Sequence, residues 1–399
     1  CAGLRADPDP FTGAGRKIPF EAQGFTIQGS SGAPLRELPA IPRFVETRGG
    51  AYFFMPGKKA LAFLAREPAP IEVPAPNEVA DAKADARLHG DKVERDHAGQ
   101  RGDKHAKRGF HVKCHGIVRA TLTVRHDLPE AFRHGVFRLP GHSYDAWVRF
   151  SNSNFVPSAD TARDARGVAI KVMGVDGPRA EGGFEKQTQD FLMIDSPILM
   201  VGTSADALAL DRAMIKQGAA LGLHLATHPA EVYRLYRHVM TKPAHPLAAT
   251  YSSVAPFRLG PTRVVRWALR PASGVELVNV APGRDHLREA LRRQLEKDGR
   301  VHLELCVEMR GAGHEPIDDG SVDWAGPKER IADLVLKSEG FGSPAQEALG
   351  EKMSFNPWNA LEAHRPLGNL NRARQIVYRA VYGVRSRLNG VEPFEPTPG

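Results

Sequence analysis

Cysteine is scarce in this sequence. Its 399 residues include three cysteines, Cys1, Cys114 and Cys306, and no two of them have the C-x-x-C spacing. Three cysteines are too few for a disulfide framework, and without a C-x-x-C pair a thiolate zinc cage is not expected. The sequence therefore predicts neither a disulfide scaffold nor a metal site built from thiolates.

Long hydrophobic runs are also missing. The longest apolar passages are short, and the one at 191–202 contains an aspartate, Asp195. A membrane-spanning helix needs about 18 or more predominantly apolar residues, so the sequence predicts no transmembrane segment. With 42% hydrophobic and 25% charged residues, the chain can bury a large core. Two domains, or one large domain with arms, are both compatible with this length.

Clusters of one charge sign are absent as well. The formal net charge is +8, but the lysines and arginines are interspersed with aspartates and glutamates. A nucleic-acid-binding protein usually gathers its positive charge into a tract or stripe, so we predict no nucleic-acid partner. An anionic ligand would explain the excess positive charge equally well.

The first residues allow two interpretations. The sequence begins with Cys1, followed by AGLRADPDP, a small residue and then a polar, proline-rich stretch. A bacterial lipoprotein begins in this way after its signal peptide is cleaved, with a lipid anchor on the cysteine and a flexible tether behind it. That interpretation predicts the periplasm or the cell envelope. The alternative is that the first residue is accidental, in which case a cytoplasmic location is equally compatible.

The order of predicted elements indicates an α+β fold. Residues 1–76 are rich in proline and glycine and read as an extended N-terminal arm, and 77–99 read as a polar surface helix. Four strands are predicted between 109 and 195, a helical insertion between 203 and 240, and four more strands between 249 and 338. Eight antiparallel strands close most economically into a β-barrel. We therefore predict a barrel domain over 77–360, with C-terminal helices over 361–399.

One predicted C-terminal helix carries an ordered polar face. In NRARQIVYRAVYGVR, residues 371–385, the side chains of Arg374, Tyr378, Tyr382 and Arg385 are four, four and three residues apart. This spacing places them on one side of a helix, beside an apolar stripe that can dock on the barrel. Taken alone, the pattern is typical of rim residues rather than of a functional site.

Four motifs in one order change that interpretation. The sequence contains RGFHVKCHG at 108–116, VRFSN at 148–152 followed by SADTARDARGVAIKV at 158–172, EKMSFNPWN at 351–359, and R-x-x-x-Y at Arg374 and Tyr378. Together they resemble the distal histidine segment, the signature, the F-x-P-x-N segment and the ligand tyrosine of the haem catalases. Four ordered motifs are far more specific than any one of them.

The resemblance implies an eight-stranded catalase-like barrel that binds haem b, with Tyr378 as the iron ligand. A phenolate oxygen is a hard, strongly donating ligand that suits ferric iron. Arg374, one turn earlier on the same face, would stabilise the phenolate by charge-assisted hydrogen bonds. Arg385 would contact a haem propionate. Tyr382 is the alternative ligand, but it has no arginine four residues before it.

The same resemblance implies roles on the other side of the haem. His111 would take a proton from a bound peroxide and return it to the leaving oxygen, and Ser151 would orient its ring. Arg108 and Arg149 would hold propionates, and Phe355, in the F-x-P-x-N segment, would contact the haem. His105 and His115 are expected to be ordinary structural histidines, since no motif selects them.

Three departures from the catalase pattern bear on the activity. The Asn that orients hydrogen peroxide in catalases is replaced by Gln187, Thr188 and Gln189, of which Thr188 aligns best. The haem-facing aromatic further along falls near Met200. The chain also ends soon after Tyr378, without the large catalases' extra helical domain. Those features resemble the small catalase-like proteins, including the allene oxide synthase group.

The expected activity is therefore that of a haem oxidoreductase acting on hydrogen peroxide or organic hydroperoxides. The alternatives are a fatty-acid hydroperoxide isomerase or lyase, a haem protein without turnover, and a basic barrel without haem. The long arm, as in the catalase family, predicts a homo-oligomer.

Overall fold

The computed structural model describes residues 72–101, 105–239, 244–311 and 315–398, together with two short strands, β1 (Phe44–Thr47) and β2 (Gly50–Phe53). These two strands pair with each other in an antiparallel hairpin. Most of the predicted arm over 1–76, including Cys1, lies outside the described residues, so the arm and the lipid anchor stay predictions.

The remaining strands and helices follow in the order that the sequence predicts. The strands are β3 (Cys114–Val124), β4 (Ser143–Asn152), β5 (Arg166–Met173), β6 (Thr188–Ile194), β7 (Tyr251–Ser252), β8 (Phe257–Leu259), β9 (Arg263–Pro271), β10 (Arg300–Met309) and β11 (Lys328–Lys337). The helices are α1 (Glu78–Gly99), α2 (Ser204–Lys216), α3 (Gly218–Thr227), α4 (Pro229–Arg234), α5 (His286–Asp298), α6 (Pro344–Lys352) and α7 (Asn369–Asn389).

Eight of these strands close into an antiparallel barrel, which confirms the predicted fold class. The hydrogen-bonded order is β10-β11-β3-β4-β5-β6-β7-β9, and β9 pairs with β10 to complete the ring. β8 is an extra strand that pairs with β9 alone. Closure removes the free edges that an open sheet of this size would expose.

The predicted strand over 249–260 is divided into β7 and β8. Between them Val254 has a φ of +59°, a left-handed conformation that a strand cannot continue through. Serine side chains hold the break, since the amide of Val254 donates to Ser252 Oγ at 3.2 Å and the amide of Trp267 donates to Ser253 Oγ at 3.0 Å. Only two residues are therefore left in β7 to close the barrel.

Large apolar side chains from several strands form the core. Phe191 on β6 and Trp267 on β9 are fully buried and meet edge to face, with ring centroids 5.1 Å apart. Phe137 and His364 pack against Trp267 from the loops. Aromatic contacts of this kind add to the free energy gained by burying the rings. The barrel thus presents a rigid support for the segments around it.

Helix α1 is more buried than the sequence suggested, since it packs against α2 and α7. The prediction of a surface helix is wrong for one face because small side chains there, such as Ala82 and Ala86, allow close approach. The polar residues on that face are paired. For example, Glu78 accepts hydrogen bonds from Arg372 of α7.

The C-terminal helix α7 begins at Asn369, after a short 3-10 helix over Glu362–His364. Gly368 precedes it with a φ of +84°, and a Cβ there would lie 2.1 Å from the carbonyl oxygen of Ile317. This position therefore requires glycine. The helix ends at Gly390, which has the left-handed conformation that commonly terminates helices. None of the helices that the structure describes is both long enough and apolar enough to cross a membrane.

Candidate functional site

One cavity of about 1020 Å³ collects the residues of all four motifs. Arg108 and His111 enter it before β3, Arg149 and Ser151 from β4, Phe355 from the loop after α6, and Arg374, Tyr378 and Arg385 from α7. Of the predicted site residues, Thr188 does not line the cavity.

His111 is held in place from both its backbone and its ring. Its φ of +52° lies in the left-handed region, which a non-glycine residue adopts only when its surroundings impose it. Arg149 donates a hydrogen bond of 2.7 Å to its carbonyl oxygen. The ring Nδ1 lies 3.0 Å from Ser151 Oγ, the contact that the resemblance implies. The imidazole is thereby fixed with its other nitrogen, Nε2, free of that contact.

Gly167 leaves room for the imidazole of His111. A Cβ at position 167 would lie 2.5 Å from His111 Cε1 and Nδ1 and 3.1 Å from Ser151 Oγ. Gly167 is the glycine of the R-G pair in the signature segment, and it lies on β5 opposite Ser151. Packing therefore explains why this position of the motif is a glycine, because the His111 ring lies directly against the β5 backbone.

Replacement of Gly167 by alanine is expected to displace the His111 ring and to lower the free energy of unfolding by about 1–3 kcal/mol, the usual cost of overpacking. Urea denaturation measures the loss, and the histidine ring signals in NMR spectra report the displacement. Gly99→Ala is the matched control, because no atom lies within 4 Å of its added Cβ. Equal stabilities for both variants would contradict the packing role of Gly167.

The ionisation of His111 is strongly perturbed. Burial lowers its pKa to about 3, and the positive charges of Arg149 and Arg374 act in the same direction. The side chain is consequently a neutral imidazole at ordinary pH. A neutral imidazole can accept a proton at Nε2, and its low pKa makes it release that proton readily.

Helix α7 lines the cavity with a complete helical face. Arg374, Val377, Tyr378, Val381, Tyr382 and Arg385 all reach it. Their spacing of three and four residues explains why one helix supplies them. Within the described part of the chain, the Tyr378 hydroxyl has no hydrogen-bond partner. Arg374 Nη1 lies 3.3 Å from Asn371 Oδ1, so the expected bond from Arg374 to Tyr378 is not formed here.

Tyr382, the alternative ligand, is engaged in other contacts. Its ring stacks on Phe184 with centroids 5.2 Å apart and an interplanar angle of 8°. The guanidinium of Arg385 lies over the same ring, 5.6 Å from its centroid. The Tyr382 hydroxyl accepts a hydrogen bond of 3.4 Å from the amide of Phe394. These contacts favour Tyr378 as the tyrosine that is available to a ligand.

Three arginines that line the cavity, Arg108, Arg149 and Arg385, lie near the carboxylate of Glu351. Arg108 donates to Glu351 Oε2 at 3.1 Å and to the carbonyl oxygens of Gly350 and Met353 at 2.8 Å. Arg385 donates to the Glu351 carbonyl oxygen at 2.9 Å. Arg149 is 4% exposed, and its Nε is buried without a hydrogen-bond partner among the described residues.

Neighbouring positive charges act to lower the pKa values of both Glu351 and Arg108. Burial acts to raise the pKa of Glu351, but Arg108, Arg149 and Arg385 lower it to about 2. Burial, together with the charge of Arg385, lowers the pKa of Arg108 to about 9. Three guanidinium groups against one carboxylate leave two positive charges in excess. Buried charge without a partner is unfavourable, so the cluster is suited to an anionic ligand.

Thr188 is the predicted site residue that the structure places elsewhere. It is fully buried, and its hydroxyl donates to Glu185 rather than facing the cavity. Glu185 and Asp190 both bind the buried ammonium of Lys171, which lies 2.7 and 2.9 Å from the two oxygens of Asp190. Thr188 therefore belongs to a buried ionic cluster, and the role assigned to it by alignment is not supported by its position.

This ionic cluster, formed by Lys171, Glu185 and Asp190, supports the cavity. Asp190 Oδ2 accepts a hydrogen bond of 2.9 Å from the amide of Asn356, and Ser354 Oγ donates to Glu185. Burial and the neighbouring Glu185 raise the pKa of Asp190 to about 7, because one ammonium cannot balance two carboxylates. Lys171 thus fixes the loop from which Phe355 enters the cavity.

Asn356 is a site residue that the sequence analysis missed. Its side chain is 1% exposed and lines the cavity, and its Nδ2 has no hydrogen-bond partner among the described residues. A buried amide donor without a partner indicates a ligand group beside it. The only signal in the sequence was its place between Phe355 and Pro357 of the F-x-P-x-N motif.

Comparison with known proteins shows which solved structures have a similar fold. Neither the protein-family models nor the curated proteins gave a match. Among solved structures, the chain is similar to a fungal catalase with 17% identity and a TM-score of 0.57, over 92% of this chain and 70% of that one. It is also similar to catalase A from Saccharomyces cerevisiae with 15% identity and a TM-score of 0.57, over 90% and 70%.

A bacterial catalase is a third similar structure, with 14% identity and a TM-score of 0.56 over 97% of this chain and 71% of that one. At these identities the likeness concerns the course of the backbone. The closed barrel, the order of its strands and helices, and these three neighbours together show that the chain has the catalase-like fold.

Proposed function

We propose that this protein is a haem-dependent oxidoreductase that acts on hydrogen peroxide or organic hydroperoxides. One observation carries the proposal: a single cavity contains both an imidazole fixed by a serine, His111 with Ser151, and a tyrosine hydroxyl, that of Tyr378, which has no hydrogen-bond partner among the described residues. A haem between such groups would have an anionic oxygen ligand and a proton acceptor for its substrate.

The charges of the residues that line the cavity fit haem b. The two excess positive charges of Arg108, Arg149 and Arg385 match the two propionates of the cofactor. Bidentate arginine–carboxylate contacts are strong and directional, and the orphaned Nε of Arg149 is a donor that a propionate could satisfy.

Tyr378 would hold the iron through its phenolate oxygen. Phe355 and Val377 would pack against the ring of the cofactor, since both line the cavity beside Tyr378. Bound haem supplies the redox-active iron at which the O–O bond of a peroxide is broken. Arg374, one helical turn before Tyr378, contributes positive charge on the same side of α7.

His111 would move the proton of the substrate. At Nε2 it accepts the proton of a peroxide hydroxyl, and because its pKa is about 3 it passes that proton on to the departing oxygen. Ser151 keeps the ring in one orientation through Nδ1. Arg149 fixes the backbone of His111 and adds to the positive potential that keeps the imidazole neutral.

Replacement of His111 by glutamine is expected to leave haem binding intact and to lower peroxide-dependent turnover by about 10²–10⁴-fold, the usual contribution of a general acid–base group. The Soret band measures haem content, and stopped-flow kinetics measure turnover. His302→Gln is the control, because His302 lies exposed on β10. In the parent protein, turnover should not fall between pH 8 and pH 5 through protonation of His111, since its pKa is about 3.

Turnover of His111→Gln equal to that of His302→Gln would remove the proton-transfer role. A fall of turnover centred near pH 6.5 that disappears in His111→Gln would contradict the neutral imidazole.

An organic hydroperoxide is the better supported substrate within this proposal. Val168, Leu192, Met193 and Ile194 give the cavity an apolar wall, and Thr188 does not supply a polar group there. An apolar wall favours an alkyl hydroperoxide over hydrogen peroxide. Oxygen release and rearranged product should be measured with both substrates. Vigorous oxygen release from hydrogen peroxide, with no product from a fatty-acid hydroperoxide, would favour dismutation instead.

A further inference from the structure

The helical insertion contains a second cluster of ligand-type side chains, away from the residues that line the cavity. His224 lies in the last turn of α3, His228 at the junction of α3 and α4, and Glu231 in the first turn of α4. One ring nitrogen of each histidine and one oxygen of Glu231 all lie within 4.8 Å of one another. The proposed haem function makes no use of these three residues.

The contacts within the cluster are close and partly buried. His224 Nε2 lies 2.8 Å from Glu231 Oε2, and both residues are over nine-tenths buried, at 8% and 6% exposure. The rings of His224 and His228 stack with centroids 4.0 Å apart and an interplanar angle of 10°. His228 is exposed, which leaves one side of the cluster open to solvent.

A hydrogen bond of His228 determines which of its ring nitrogens is available to bind a metal. Its Nδ1 lies 2.8 Å from the carbonyl oxygen of His224, and a carbonyl can only accept, so Nδ1 carries the proton. The lone pair is therefore on Nε2. Metal-binding histidines almost always donate their second ring nitrogen to such a carbonyl or carboxylate, because that bond fixes the tautomer and the ring orientation.

The surrounding helices are held by packing of α3 on α2 and by a hydrogen bond of 3.2 Å from Arg234 of α4 to the carbonyl oxygen of Met200. α3 has 10 residues, and α4 has 6 and continues directly as a π-helix of 5 residues, Leu235–Val239. α3 and α4 meet without a connecting loop. Several large apolar side chains of this segment are exposed to solvent: Leu223 is 68%, Tyr233 61% and Tyr236 69% exposed. Helices of this length are marginal without tertiary packing. A metal bridging residues from both helices would supply a further constraint.

We propose that His224, His228 and Glu231 form a zinc-binding site that fixes α3 to α4. Two imidazole nitrogens and one carboxylate oxygen are a donor set that Zn²⁺ accepts, with the fourth position open to water. On binding, the proton shared by His224 and Glu231 leaves, and Zn²⁺ takes its place between the nitrogen and the oxygen. The site is independent of the haem proposal.

The test is calorimetric titration of zinc chloride into the untagged full-length protein. We expect saturable binding near one equivalent and a higher unfolding temperature with zinc. His228→Gln, which replaces an exposed ligand, should weaken binding by at least about tenfold, since loss of supporting residues alone costs 10–100-fold. Glu231→Gln is a second ligand variant, and His302→Gln, an exposed histidine elsewhere, should bind zinc like the parent.

A second acid–histidine group, Asp85, His89 and Asp211, could also bind zinc and is tested separately by Asp211→Asn. The proposal holds if Asp211→Asn binds normally while both ligand variants bind weakly. It is overturned if the parent shows no saturable binding, if His228→Gln binds as the parent does, or if Asp211→Asn alone abolishes binding. An unchanged Soret band in His228→Gln would show that the haem site is not involved.

Discussion

Replacement of Tyr378 by phenylalanine is expected to abolish stable haem binding. The variant keeps the aromatic ring at position 378. It loses the one tyrosine oxygen in the cavity that has no protein partner among the described residues. Loss of residues that merely support a metal ligand lowers affinity 10–100-fold, so loss of the ligand itself should cost roughly 100-fold or more. Haem titration followed at the Soret band measures the change.

Tyr382→Phe is the matched control for this experiment. It removes the same atom one turn further along α7, where the hydroxyl is bound to the amide of Phe394. The control should retain haem with an unchanged ferric spectrum. If Tyr378→Phe keeps the parent spectrum, or if Tyr382→Phe is the variant that loses it, the assignment of Tyr378 as the iron ligand is wrong.

Replacement of Lys171 by methionine is expected to lower the free energy of unfolding by about 3–5 kcal/mol, the usual cost of breaking a buried ion pair. Lys171 is fully buried against Glu185 and Asp190. Although burial acts to lower its pKa, these two carboxylates raise it, so the ammonium is charged in the folded protein. Without it, the two buried carboxylates lose the ammonium that is bonded to both of them. Urea denaturation measures the loss.

The deficit of the Lys171 variant should depend on pH in a defined direction. Asp190 already has a pKa raised to about 7, and removal of the ammonium raises it further. Asp190 can then take up a proton as the pH falls, so the deficit should be smaller at pH 5 than at pH 8.

Lys83→Met on the exposed face of α1 is the control for Lys171→Met and should change the stability by less than about 0.5 kcal/mol. A Lys171 variant as stable as this control would show that the ionic cluster does not support the barrel.

The barrel could be predicted because its strands carry local signals. Seven of the eight ring strands match short apolar segments that are separated by turn residues, and a break between 195 and 249 marked the helical insertion. The division of the remaining segment at Val254 had no such signal. A left-handed valine is held there by bonds to Ser252 and to the neighbouring strand, and those contacts form only in the folded chain.

The candidate site was predictable where a motif carried it. His111, Ser151 and Arg149 lie together because the R-F-S segment runs along β4, next to the start of β3. Thr188 was placed by alignment across a stretch of weak similarity. Its side chain instead joins Glu185, three residues earlier, in a cluster whose centre is Lys171 from another strand. Asn356 was missed because nothing in the sequence distinguishes an amide that lacks a partner from one that has one.

By itself, the sequence determined the elements and their faces, since strand alternation and helical spacing depend on neighbours within a few residues. It also determined which side of α7 carries Arg374, Tyr378 and Arg385. Only the tertiary structure decided which charged groups are neighbours. Glu351 interacts electrostatically with Arg108, Arg149 and Arg385, which are distant from it in the sequence. Burial strengthens every such encounter, so the pKa of His111 and the surplus of positive charge beside it exist only in the closed fold.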